Sequence, residues 1–146
     1  MNKPAMVVLH CSATPDFDEH DRRFDKYGLR EIDAWHREKG WEGCGYHYVI
    51  RRTGSIEKGR PHNKEGAHCL GHNKNSIGIC FIGTRILTVN QLMAITVLYD
   101  SLRAQESINC DNWFGHSELK TSTDCPNIHM PLLRIMLEVI DFNKNN

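Results

Sequence analysis

Two histidines and a cysteine, His10, His116 and Cys125, are the residues of this chain whose types and placement most readily do chemistry. His10 follows the apolar run Ala5–Leu9, His116 ends a short extended segment, and Cys125 lies in the polar loop beyond it. Two imidazoles and a thiolate suit zinc and leave a fourth tetrahedral position open to water, as a catalytic site requires. The spacing alone admits a plainer reading. His-x8-Cys is easily met in a chain with nine histidines and six cysteines, and three unrelated residues would look the same. Cys11 or Cys125 could also act as a nucleophile with a histidine as base, but no oxyanion-hole or activating motif accompanies either thiol.

Placing such residues takes strands and helices, and the apolar periodicity supplies them. Ala5–Leu9 reads as a buried strand that delivers His10 at its C-terminal end, where α/β sites sit. Leu29, Ile32 and the Trp35/His36 pair recur at helical spacing until Gly40, so a helix is expected over Leu29–Lys39. Tyr46–Arg51 and Ser55–Lys58 flank a glycine turn and predict a hairpin, with Tyr46, Tyr48 and Ile50 on one face and His47 and Val49 on the other. The stretch from Gly59 to Asn75 has no apolar period and reads as a long surface loop, and Ile77–Ile82 as another buried strand.

Thr88 and Gln91 form a capping-box pair before the stripe Leu92, Ile95, Leu98/Tyr99 and Leu102, a helix running to about Gln105. Asn112–His116 is a short strand or extended segment, Ser117–Asn127 is irregular, and Leu132, Leu133, Met136, Leu137 and Ile140 mark a final amphipathic helix. The expected fold is α/β: one domain over residues 1–146, with a mixed central sheet flanked by about three helices.

Lysine plus arginine balances aspartate plus glutamate at 18 each, so net charge gives no pull toward nucleic acid or an anionic membrane. Arg51, Arg52, Lys58 and Arg60 could form a local basic strip, though a solvated strand face explains them more simply. Met1–His10 is too short for a secretory signal, which predicts synthesis in the cytoplasm with reduced thiols.

Five ordered segments, VLHCSAT (8–14), IDAWHREKGW (32–41), GYHYVIRRTGSIEKGRP (45–61), GAHCLGHNKNSIGICFIG (66–83) and GHSELKTSTDCPN (115–127), resemble successive blocks of the phage-lysozyme type N-acetylmuramoyl-L-alanine amidases. That family also includes the animal peptidoglycan recognition proteins. The resemblance implies that His10, His116 and Cys125 hold Zn2+ and that Tyr46 is the active-site tyrosine, hydrogen-bonding the attacking water or the forming oxyanion. Where the phage enzymes commonly carry a lysine, two residues before the cysteine, this chain has Thr123, as catalytic members of the recognition-protein branch do. A neutral hydroxyl there throws more of the oxyanion's charge onto the cation, with Lys120 as the other candidate donor. His68 falls in the block that resembles the wall of the substrate groove.

The activity so implied is hydrolysis of the amide between N-acetylmuramic acid and L-alanine. The implied setting is a monomeric endolysin that reaches the wall after release, with peptidoglycan as its partner and neither nucleic acid nor membrane. A non-catalytic peptidoglycan-binding module is the competing expectation. Members of that kind lose the zinc cysteine, which is present here as Cys125.

Overall fold

The computed structural model describes residues 1–146. Its elements run β1 (Met6–Cys11), α1 (Leu29–Glu38), β2 (Tyr48–Ile50), β3 (Ile56–Lys58), β4 (Ser76–Phe81), α2 (Val89–Glu106), β5 (Trp113–Gly115), α3 (His116–Leu119) and α4 (Met130–Asn145). The five strands form one mixed sheet in the order β3-β2-β4-β1-β5. Neighbours β2, β4, β1 and β5 are parallel, and only the edge strand β3 runs antiparallel, as the return of the β2–β3 hairpin. The expected mixed sheet between helices is therefore present. A fourth helix, the single turn α3, falls at the start of the segment expected to be irregular.

Each sheet face is covered differently. Val7 and Leu9 of β1, Tyr48 and Ile50 of β2, and Ile77, Ile79 and Phe81 of β4 pack with α2 and α4 into a cluster of 19 buried residues that includes Tyr99, Trp113 and Leu137. The opposite face carries a smaller cluster of five, Ile32, Cys44, Val49, Cys80 and Ile82, beneath α1. The period-2 alternation of parallel strands buried on both sides produces this division.

The helix signals hold. Thr88 Oγ1 accepts from the Gln91 N–H and the Gln91 side chain answers the Thr88 N–H, a reciprocal cap that starts α2 where the sequence placed it. Gln91 is also wholly buried, its amide donating to the Ile82 carbonyl at 2.8 Å and its oxygen accepting from Arg52 at 3.0 Å.

Two readings of the hairpin need correction. Regular pairing of β2 begins only at Tyr48, and Tyr46, expected to share a face with Tyr48 and Ile50, packs against the smaller cluster with Val49 instead. Gly45 presses on Ala67, where a Cβ would stand 2.1 Å from the carbonyl oxygen, and the chain leaves strand geometry there.

The basic strip also dissolves. Arg51 pairs with Asp25 and Glu57, and Arg60 donates to the carbonyls of Cys44 and Glu65. Arg52 is buried, donating to the carbonyls of Ile82 and Ile86 and lying 3.8 Å from Asp16. Arg52→Met would leave Asp16 and two carbonyls without their cation, and a loss of about 3 kcal/mol is expected. Urea unfolding measures it; a change below about 1 kcal/mol would mean that the guanidinium ties nothing together.

Candidate metal centre

His10 stands at the penultimate position of β1, paired in register with Cys80 of β4, and so projects from the α1 face of the sheet. β5 lies beside β1 and ends at Gly115, so that His116, the first residue of α3, arrives next to His10 with ring centroids 4.5 Å apart. The loop after α3 folds back, and the Ser117 N–H donates to the Cys125 carbonyl at 2.7 Å, which brings the thiol to the same place. One donor atom from each of His10, His116 and Cys125 then lies within 4.8 Å of the others.

The donor set suits a cation. His116 Nε2 is buried and has no hydrogen-bond partner, an omission that proteins rarely tolerate in a polar atom. His10 Nδ1 lies 3.9 Å from Cys125 Sγ, and the Cys11 N–H donates to that sulfur at 3.3 Å. The neighbouring Cys11 thiol, followed by burial, pushes the Cys125 thiol above its ordinary range against the smaller lowering effect of the Cys11 N–H, so a cation would be needed to displace its proton. Burial, with lesser effects from neighbouring charges, holds His10 and His116 below the usual histidine range, which keeps both imidazoles neutral, as ligation needs.

Tyr46 sits over the same group, its ring 5.1 Å from that of His10 and 5.5 Å from that of His36. Burial pushes its phenol well above its ordinary range, reinforced by the surrounding thiols, so the hydroxyl keeps a proton that it can donate. His36 is held by accepting the Gly45 N–H at Nδ1, 2.8 Å, which fixes the turn that presents Tyr46.

Thr123 Oγ1 accepts the Cys125 N–H at 3.2 Å, shaping the bend that carries the cysteine and leaving its own proton free to donate. Lys120 is exposed, and its charge is among those that depress His116.

His68 is found behind His10. The residue is 8 % exposed, Nδ1 faces His10 Nε2 at 3.0 Å and Nε2 faces Ser76 Oγ at 3.1 Å, so protein atoms engage both ring nitrogens. Asn73 Oδ1 accepts from the N–H groups of His68 and Cys69, and Asn75 adopts φ 66°, so both asparagines shape the turn before β4 as their type suggests. The involvement of Ser76 was not legible in the sequence; its one trace is the place of a serine at the head of an apolar strand.

Burial makes the histidines of this layer acid-sensitive. Desolvation lowers His10, His36, His47, His68 and His116, and takes His68 to about 3. An unfolded chain protonates them near 6.5 while the folded chain does not, so unfolding takes up protons and stability falls as pH drops below about 6.5, for His68 down to about 3. For His68, between about 6.5 and about 3, that cost is about 1.4 kcal/mol per pH unit. Chelator-treated protein is thus expected to lose melting temperature steeply from pH 6.5 to 5; a flat profile would contradict the neutral, buried assignment.

The family model described as N-acetylmuramoyl-L-alanine amidase matches residues 1–128. The endolysin of Escherichia phage T7 is 43% identical over 77 residues, 53% of this chain and 46% of that protein. The chain thus spans about half the length of the phage endolysins it matches. Among solved structures, the N-acetylmuramoyl-L-alanine amidase LysC from Clostridium intestinale superposes with a TM-score of 0.79 at 27% identity, covering 94% of this chain and 87% of the other. Peptidoglycan recognition protein-LE, solved in complex with tracheal cytotoxin, a monomeric diaminopimelic acid-type peptidoglycan, gives 0.70 at 26% identity over 97% of this chain and 81% of the other.

Proposed function

Since the chain belongs to the N-acetylmuramoyl-L-alanine amidase family, we propose that it is a zinc-dependent hydrolase of the amide joining N-acetylmuramic acid to L-alanine in peptidoglycan. The observation that carries the catalytic reading is the convergence of His10, His116 and Cys125 within 4.8 Å, with His116 Nε2 buried and partnerless. Zinc held there would supply a water with a pKa near about 7 and a Lewis acid for the lactyl amide carbonyl.

The chain's own residues do the rest. Cys125 serves as a ligand, its sulfur facing His10 Nδ1, and the Cys11 N–H fixes its direction. Tyr46, protonated by virtue of its burial, donates to the oxygen that gains charge as the amide carbon becomes tetrahedral. Thr123 brings a neutral hydroxyl to the same side as Cys125, and Lys120 adds a positive charge felt at His116. The leaving L-alanine nitrogen takes a proton, and no acyl-enzyme forms. Peptidoglycan as the partner is supported by the complex of recognition protein-LE, and an endolysin role, reaching the wall from the cytoplasm after release, by the phage relatives. No helix of the chain is long and apolar enough to cross a membrane.

Metal analysis of the purified protein tests the cofactor: one zinc per chain, removed by a strong chelator and restored by zinc alone, is expected. A protein that binds peptidoglycan but never zinc would instead be a recognition module.

A further inference from the structure

We propose that Ser76 and His68 form a positioning relay that fixes the tautomer of His10, so that His10 Nδ1 carries the lone pair offered to the metal. The inference rests on the reading of His10 as a ligand, and begins from a single proton. The Ser76 hydroxyl has one hydrogen and three neighbours: the His72 carbonyl at 2.6 Å, the Asn73 carbonyl at 3.3 Å and His68 Nε2 at 3.1 Å. Carbonyl oxygens can only accept, and the shorter bond takes the proton.

Toward His68 the serine therefore presents a lone pair, and His68 Nε2 must carry hydrogen. In a neutral imidazole the other nitrogen is then bare. His68 Nδ1 faces His10 Nε2 at 3.0 Å, so His10 Nε2 carries the hydrogen in turn and His10 Nδ1 is left unprotonated, 3.9 Å from Cys125 Sγ. Four groups in series, beginning at the backbone carbonyl of His72, thus direct one lone pair into the centre.

The fold is shaped to hold this series. Ser76 is fully buried, His10 is 2 % exposed, and a Cβ on Gly78 would lie 2.5 Å from His68 Cδ2, so the ring occupies room that only glycine leaves. Asn73 pins the His68 backbone from the other side. His47, edge-on to His68 at 5.9 Å, is fixed separately: it accepts the Gly78 N–H at Nδ1, 3.0 Å, so its Nε2 donates to the Lys64 carbonyl at 2.9 Å and does not compete. Partners of this kind raise the basicity of a ligating imidazole and hold its plane, and their loss typically costs about 10- to 100-fold in metal affinity.

The tautomers are readable without metal or substrate, by long-range proton–nitrogen correlation of the imidazoles in 15N-labelled, chelator-treated protein above pH 7. Hydrogen on Nε2 of both His10 and His68 is expected; hydrogen on Nδ1 of His10 overturns the relay outright in the wild-type chain, whatever the variants do. In Ser76→Ala the acceptor for His68 is gone, so a population of His10 should move its hydrogen to Nδ1 and zinc affinity, by chelator competition, should fall about 10-fold or more. His68→Asn keeps an acceptor near the Nδ1 position and should bind zinc more tightly than His68→Leu. Unchanged affinity across all three variants overturns the proposal. Failure of the metal reading looks different: the tautomers would be as stated, with no zinc bound by the wild type.

Discussion

Cys125→Ser is expected to lose at least about a hundredfold in zinc affinity and nearly all amidase activity while keeping its fold. Zinc holds a thiolate far better than a serine hydroxyl, which stays protonated at neutral pH, and with only two imidazoles left the site falls below the ligand count of a catalytic zinc centre. The fold should survive for a local reason. The sulfur's hydrogen-bonding contacts are the Cys11 N–H at 3.3 Å, His10 Nδ1 at 3.9 Å and the Cys11 carbonyl at 3.9 Å, and a serine hydroxyl can still accept from the first and donate to the last. The check is zinc content beside the melting curve. Full zinc content with full activity would remove Cys125 from the ligand set, and a collapsed melting temperature would give the cysteine a structural role instead.

Tyr46→Phe should show the opposite pattern: zinc retained, with turnover lower by about 100- to 1,000-fold, the usual loss when one donor to a developing oxyanion is removed. The ring packs between His10 and His36 and against the smaller cluster, contacts that phenylalanine preserves, so only the proton-bearing oxygen is removed. That oxygen keeps its proton because burial pushes the phenol well above its ordinary range, which lets Tyr46 donate throughout the working pH range and argues against any role as a base. The defect should therefore appear in kcat more than in KM, without a new ionisation in the pH profile. Loss of zinc from the variant would show that the tyrosine holds the site together, and unchanged turnover would exclude it from the reaction.

Periodicity made most of the frame legible. The Val7–Leu9 run, the stripe after the Thr88 cap and the final amphipathic helix each fall within a few residues of their expected place, because strands buried on two faces and helices buried on one leave strong patterns. The three converging donors were legible only with the family resemblance, since a parallel sheet brings His10 and His116 together through the β1–β5 pairing, which no local spacing reveals.

What escaped the sequence depended on space and not on pattern. Tyr46 changed face because, with Gly45 packed on the Ala67 carbonyl, the chain enters regular strand pairing late, at Tyr48. The contact of His68 with Gly78, where a Cβ would lie 2.5 Å from the ring, likewise has no local sequence signal. Arg52, written beside other cations, is buried because Gln91, Asp16 and two carbonyls converge on it from positions thirty or more residues away.

The most direct measurement is digestion of purified peptidoglycan by the recombinant protein with and without chelator, the products read by mass spectrometry. Stem peptides with free L-alanine amino termini, abolished by the chelator and restored by zinc alone, are the predicted result. Wall material that is bound but never cleaved, or cleavage that persists in full without metal, would contradict the assignment of this chain as a zinc amidase.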